Sequence, residues 1–312
     1  MKRILSTAGI LLMLLFLLKY PQEALAASRE GMGLWLNTLI PTLLPFLILT
    51  GFLIKTGAAE KLTAPARSFW NTFIGISPSG AYALILGLLC GYPMGAKITS
   101  DMYMHGKIGR REAEYLLTFT NHASPVFINT YMLHICLKDQ ADAGKVYLLL
   151  LLSAALTMVF FRFIVFRNQT ITQENISTSK MEPSEPGSLG TLLDTSIMNG
   201  FETIARLGGY ILLFSILSAW VRHYWKAGTF ALCLLLGSLE LTTGLHFLAQ
   251  SAMPFGITYF CAMTMVSFGG LCILAQTKSV LHKELSVMPY ICAKCVNAAI
   301  AAALTLVFLK VV

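Results

Sequence analysis

Leu89-Cys90-Gly91-Tyr92-Pro93-Met94-Gly95-Ala96-Lys97 interrupts an apolar stretch that runs from Phe73 to Met104. Two glycines and a proline in so short a run break a helix. The apolar pieces on either side are too short to cross a hydrocarbon core of about 30 Å separately. The run therefore reads as the tip of a re-entrant helical hairpin. Lipid offers no partner to a free N–H or C=O, so such a tip must face a polar cavity or other protein groups.

The rest of the chain agrees with a membrane reading. Of its 312 residues, 56% are apolar and only 12% charged, with a mean hydropathy of +0.69; soluble domains carry roughly 25% charge. At about 20 residues per pass, there is room for roughly nine passes in one membrane domain. The net charge of +8 sits in short clusters between apolar runs, as in cytoplasmic loops, with no basic and aromatic interleaving that would suit nucleic acid. Cys292 and Cys295 form a lone C-x-x-C within an apolar run, which reads as two small helix-packing residues rather than a redox or metal pair. No G-x-S-x-G elbow, H-E-x-x-H or P-loop occurs. The sequence thus gives no enzyme, metal site or cofactor, and ATP-driven transport would need another subunit.

Outward from the tip, the chain divides into six stretches. Residues 1-32 carry an N-terminal transmembrane helix and connector; Ala24-Leu25-Ala26 resembles a signal-peptidase site, but the closely following apolar segment favours retention. Residues 33-135 form a first unit: a helix from Leu34 to Ile54 weakened at Pro41 and Pro45, a polar stretch, the hairpin, and a helix broken at Asn121-His122-Ala123-Ser124-Pro125. Residues 145-166 form a plain transmembrane helix, and 167-190 a polar linker. Residues 191-277 repeat the order of the first unit, with landmarks at Gly208-Gly209, Gly237–Gly244 and Ser267–Gly270. Residues 287-312 form a C-terminal transmembrane helix.

With the amino terminus inside and both hairpins re-entrant, the two units run in opposite directions. That assignment puts Lys2, Arg3, Lys55, Lys61, Arg67, Lys107, Arg110, Arg111, Arg162, Arg167, Lys180, Lys278 and Lys283 inside. Outside it leaves only Lys19, Arg29, Lys138, Lys145, Arg222, Lys226 and Lys310, a bias of the expected sign. The fold expected is all-α: a polytopic membrane protein of two inverted repeats, each with a re-entrant hairpin and a broken helix. That is the architecture of secondary transporters, with the substrate near mid-depth where half-helix ends present unpaired dipoles.

Charges inside apolar segments mark candidate sites, since each costs on the order of 2.5–3.5 kcal/mol at the bilayer centre. Lys97/Asp101 and Glu202/Arg206 are spaced i,i+4 and can pair on one helix face. They read either as self-neutralised struts or with Lys97 and Arg206 as cationic contacts for a polar or anionic solute. Glu240 has no such basic partner and is the first candidate for coupling to H+ or Na+, with Asp101 and Glu202 behind it. Lys294 also falls within an apolar run. His122 sits in a helix break and reads equally as a solute contact or a hydrogen-bonded core histidine. Asn121 and Ser267 occupy equivalent breaks and can cap half-helices; Gly91, Tyr92 and Gly269 complete the substrate-binding set, and Gln276 and Asn297 are weaker candidates.

Gly91-Tyr92-Pro93-Met94-Gly95-Ala96-Lys97, preceded by Pro41-Thr42-Leu43-Leu44-Pro45-Phe46 and followed by Ser124-Pro125-Val126-Phe127, resembles the nucleoside-recognition or Gate domain family of membrane proteins. Glu240-Leu241-Thr242-Thr243-Gly244 and Ser267-Phe268-Gly269-Gly270-Leu271 match second-half motifs of its sporulation branch. The resemblance covers about residues 30–280. It implies a fold similar to concentrative nucleoside transporters, with hairpins meeting at the substrate site, in a bacterial cell membrane. It further implies a role in spore formation, moving a small organic anion such as dipicolinate, or a nucleoside-like metabolite, with Lys97 and Glu240 as site residues. The partners expected are that small-molecule substrate, a coupling H+ or Na+, and membrane lipid. The alternative function is a non-transporting scaffold in a sporulation or envelope complex.

Overall fold

The computed structural model describes residues 2–56, 58–167 and 188–311; most of the linker expected at 167–190 lies outside them. Among the described residues all regular structure is helical: α1 (Lys2–Lys19), α2 (Pro21–Leu34), α3 (Ile40–Lys55), α4 (Ala58–Thr63), α5 (Arg67–Phe69), α6 (Pro78–Cys90), α7 (Met94–Met104), α8 (Arg110–Leu116), α9 (Pro125–Phe127), α10 (Ala143–Phe160), α11 (Leu189–Tyr224), α12 (Thr229–Leu239), α13 (Leu241–Gln250), α14 (Phe255–Phe268), α15 (Gly270–Val280) and α16 (Met288–Val311). Widened π turns extend several of them, at Trp35–Leu39, Trp70–Ile74, Ile128–Cys136 and Phe161–Val165.

Among the described residues, five helical stretches are long and apolar enough to cross a bilayer: Pro21–Lys55, Ala143–Val165, Leu189–Tyr224, Phe255–Val280 and Met288–Lys310. The length that composition would spend on further passes is used for short arms. Arms α6, α7, α12 and α13 span 13, 11, 11 and 10 residues, at about 1.5 Å per residue only ~15–20 Å each. None crosses alone, so the chain is a polytopic all-α membrane protein carrying two helical hairpins.

Two expectations from proline and glycine are corrected. The helix at Pro41 and Pro45 is not interrupted there: α2 and α3 form one rod from Pro21 to Lys55. The π turn at Trp35–Leu39 lies just ahead of Pro41, where proline withholds the next N–H from the ladder. At Gly208-Gly209 there is no weak point either, because α11 is continuous. Gly208 is a seat for an indole: a Cβ there would lie 2.5 Å from Trp35 Cε2, and Trp35 Nε1 donates to the Ile204 carbonyl at 2.8 Å. The polar stretch after Lys55 is mostly helical. Lys61–Ile74 meets α6 at 85° and exposes Leu62, Phe69 and Phe73, as an amphipathic segment does at a membrane interface.

The C-x-x-C cysteines, expected to pack between helices, instead both face outward from α16. Ala24 and Ala27, around the signal-peptidase-like stretch, are buried in the α1–α2–α11 corner with Phe16, Ile216 and Ala219.

Packing between the halves is reciprocal. Helix α3 packs along α11, and α10 along α16. Hairpin arm α7 touches α15, while arm α13 touches the π turn Ile128–Cys136 that continues α9. Helix α8 touches α16, while α14 touches α10. Within each half the hairpin packs on its own broken helix, α6–α7 on α8 and α12–α13 on α14.

Candidate functional site

Both hairpin tips end on a helix break. Gly91 closes α6 at φ +80°, a conformation glycine reaches without the Cβ penalty. A Cβ there would also meet the Ser124 nitrogen at 2.5 Å. The tip is pinned to the first break by Tyr92 N–H donating to the His122 carbonyl at 2.7 Å, and Ser124 Oγ caps α9 by accepting from Phe127 N at 3.2 Å. In the second half α14 and α15 are separated by Gly269 and Gly270 at φ +88° and +89°. A Cβ on Gly270 would lie 3.1 Å from the Gly237 carbonyl, so the start of α15 abuts the last carbonyls of α12. An N-terminal dipole end thus faces a C-terminal one.

The second tip centres on Glu240, between the glycines expected to form it. Its carboxylate accepts from the N–H groups of Thr242 (3.1 Å) and Thr243 (2.6 Å) and from the Thr242 hydroxyl (2.6 Å). It is the N-cap of α13, satisfying donors that a helix start leaves open. Gly237 and Gly244 lie where the arms cross: a Cβ on Gly244 would overlap Gly237 Cα. Gly87 and Gly95 have the same role in the first hairpin, where a Cβ on Gly87 would meet Gly95 Cα at 2.9 Å.

Glu240→Gln keeps a side-chain acceptor at the cap, whereas Glu240→Ala removes it at a cost of ~0.5–2 kcal/mol. Thermal unfolding in detergent is expected to rank wild type above Gln and Gln above Ala. Equal midpoints for Ala and wild type would remove the capping role.

The structure separates the sequence-derived site residues into three places. Tyr92 and Glu240 line an upper cavity of about 920 Å³ including its mouth, bounded by α3, both tips, Val126 and Phe127, Leu207 and Ile211, and Ile273 and Gln276. Lys97, Asp101, Glu202 and Arg206 line a lower cavity of about 1320 Å³, with Lys55, His105, His282 and Lys283. Asn121, His122, Ser267 and Gly269 line neither and lie in the packed centre between the halves. There Asn121 Nδ2 donates to Thr277 Oγ1 at 3.0 Å, and the Ser267 carbonyl accepts from Asn297 Nδ2 at 3.1 Å. Asn297 Oδ1 in turn accepts from Thr157 at 3.2 Å, tying α10, α14 and α16. The ring Nε2 of His122 has no hydrogen-bond partner among the described residues.

In the lower cavity Lys97 Nζ meets Asp101 Oδ1 at 2.5 Å, with both side chains about 15% exposed. Arg206 pairs with the Glu202 carboxylate and also donates to the Ser279 carbonyl at 2.9 Å. Lys55 donates to Thr195 Oγ1 at 2.6 Å. With those two carboxylates matched, Lys55 and Lys283 leave the lining cationic. The upper cavity is the opposite: Glu240 is the one charged residue among its described lining.

Sequence reasoning gave Lys294 no role. Its amine is buried with no hydrogen-bond partner among the described residues, 5.8 Å from the centroids of both the Tyr92 and Tyr290 rings. Sequence pattern could show that Lys294 lies in an apolar run, but not that it ends behind the first tip.

The two cavities stack along the same helices. On α3 the upper one is lined as far as Phe46 and the lower one begins at Leu47; on α11 the change falls at Arg206–Leu207, and on α15 between Gln276 and Ser279. On the first hairpin, Pro93 lines the upper and Lys97 the lower. The wall between them is thus about one helical turn, ~5–6 Å. Leu43, Leu47, Met94, Ile204 and Leu207 fill it, all buried in one apolar cluster.

Fold and site define a multi-pass membrane protein with two tip-on-break hairpins and a cavity on either side of a thin apolar wall. In sequence the chain is similar to the sporulation integral membrane protein YlbJ of Bacillus subtilis (strain 168), at 24% identity over 331 aligned positions that cover 94% of this chain and 79% of the relative. No protein-family profile matches, so the Gate family remains a resemblance. No solved structure matches.

Proposed function

We propose that the chain is a secondary transporter of a small polar or anionic solute, working by alternating access between the two cavities. The observation that carries this reading is their arrangement: two chambers on the same four elements, parted by about one turn of apolar side chains. A wall that thin opens by a modest displacement of the tips, whereas sealing both chambers at once serves no scaffold. The reciprocal contacts support two repeats related by a twofold axis, and with the broken segment 110–136 taken as a crossing beside the five long helices those repeats would be inverted, as in many secondary transporters. The same crossings put Lys55, Lys61, Arg67, Lys107, Arg110, Arg111, Lys278 and Lys283 at the end that holds the lower cavity. By the positive-inside rule that cavity opens to the cytoplasm, and its surplus cations would draw in an anion. Similarity to a sporulation protein suggests spore formation as the setting, and makes dipicolinate a reasonable first probe beside nucleosides.

The test is uptake of radiolabelled dipicolinate and uridine into proteoliposomes, together with maleimide labelling of Ser279→Cys in the lower cavity. Uptake of either probe, with labelling of Ser279→Cys that a transported probe slows severalfold, is the expected outcome. A lower-cavity cysteine whose labelling is indifferent to every probe, in vesicles that take up none, would favour the scaffold.

A further inference from the structure

The upper cavity has its mouth at a depth where only lipid can stand before it. Phe46, Leu89 and Val126 line it and are 42%, 53% and 53% exposed. Phe46 lies about 14 Å along α3 from Lys55 at its end, and Leu89 about 16 Å along α6 from Pro78. Val126 directly follows the Ser124-Pro125 break, which touches Gly91 at the first tip, so it shares the depth of Leu89. In a core about 30 Å thick, all three sit near the middle. From this mouth the cavity leads inward to Leu207, Ile211 and Ile273, all buried.

Most polar groups along it are engaged with their own chain; the buried Tyr92 hydroxyl, without a hydrogen-bond partner among the described residues, is the exception. Thr42 Oγ1 donates to the Thr38 carbonyl at 2.6 Å, leaving its methyl to the cavity. Ser124 caps α9, and the Glu240 oxygens cap α13. Gln276 Nε2 lies 3.3 Å from Cys272 Sγ. No cation stands among the described lining residues. A polar solute would forfeit its hydration there for few replacement bonds, whereas a hydrocarbon chain gives up nothing by entering from hydrocarbon and gains dispersion contacts with the walls.

We infer that the upper cavity is a lateral lipid site, occupied by an acyl chain that enters from the bilayer midplane between α3, the first hairpin tip and the α8–α9 break. It goes beyond the transport reading: in this state the acyl chain occupies the upper cavity, and a solute crossing the wall from the lower one must displace it.

The test uses the full chain in nanodiscs of phosphatidylglycerol, doped with phosphatidylcholine whose acyl chain ends in a diazirine. After photolysis, peptide mass spectrometry is expected to find adducts on Leu207, Ile211 or Ile273, which lipid on the outer surface cannot reach, as well as on outward-facing Leu151 and Leu306. Thr42→Trp, or Thr130→Trp should the first fail to fold, fills the cavity. It should cut the interior adducts at least fivefold and leave those on Leu151 and Leu306 unchanged. Adducts confined to the outer surface in the wild type would overturn the inference. So would a disulfide-linked dimer of Val126→Cys protein under mild oxidation with no lipid adduct at Leu89 or Val126, because a second copy would then cover the mouth.

Discussion

Gly244→Val is expected to abolish recovery of folded protein, while Gly209→Ala, also within a membrane helix, leaves stability the same or slightly higher. The contrast rests on what a Cβ would meet. At Gly244 it would overlap Gly237 Cα and lie 2.5 Å from Gly237 N, with Leu236 C at 3.2 Å. These are backbone atoms of the opposing arm, so no rotamer change makes room. Gly237 is itself closely packed, since a Cβ there would lie 2.5 Å from Met265 Sδ. Overpacking typically costs ~1–3 kcal/mol when side chains can adjust; here two backbones must separate, which puts the cost at or above the top of that range. Separation would also move Glu240 off its cap. At Gly209 nothing lies within 4 Å of the added methyl, and replacing glycine by alanine within a helix is worth ~0.5–1 kcal/mol in favour of the variant. Size-exclusion profiles of detergent extracts after graded heating check both. A monodisperse Gly244→Val protein with wild-type thermal behaviour would show that the arms do not cross at these residues.

That contrast also shows where the sequence could be read and where it could not. Gly91-Tyr92-Pro93 announces a tip because Gly91 needs positive φ and Pro93 lacks a donor, both properties of the residue itself. Gly269 and Gly270 are legible for the same reason. Gly237, Gly244 and Gly208 look identical in sequence, but their glycine is required by a neighbour: the opposing arm in two cases, Trp35 in the third. A long-range partner leaves no local mark, so the break expected at Gly208-Gly209 became a continuous helix. The second tip was expected between two glycines and stands on a carboxylate. Glu240 drew notice as an unpaired charge in an apolar run. That its oxygens close a helix start follows only from its φ of −141° and ψ of 115°. The i,i+4 pairs were legible from helix periodicity, and their placement in one cavity was not, because α7 and α11 are brought together by tertiary packing alone. A single substrate site was expected from the hairpin logic, and its members divide between two chambers and a packed centre.

Exchanging Lys97 and Asp101 separates a strut from a solute contact. In the doubly substituted Lys97→Asp/Asp101→Lys protein the i,i+4 pair persists on the same face of α7, so the helix keeps its neutralised strut and unfolding should change by only a few tenths of a kcal/mol. The ammonium, however, moves one turn away from the wall, ~6 Å toward the mouth of the lower cavity. At an effective dielectric of about 20, attraction between unit charges falls from ~4 kcal/mol at 4 Å to ~1.7 kcal/mol at 10 Å. A bound anion next to the wall thus loses about 2 kcal/mol, more than tenfold in affinity. The exchanged protein should therefore unfold like wild type in a heating series, yet take up an anionic probe at least ten times more slowly at subsaturating concentration. Lys97→Met should slow uptake at least as much and also lower stability, because it leaves the Asp101 carboxylate about 85% buried without its partner. Wild-type uptake by the exchanged protein, with only Lys97→Met impaired, would assign the pair to packing and move the solute contact to Arg206, whose guanidinium is held at the same cavity by Glu202 and the Ser279 carbonyl.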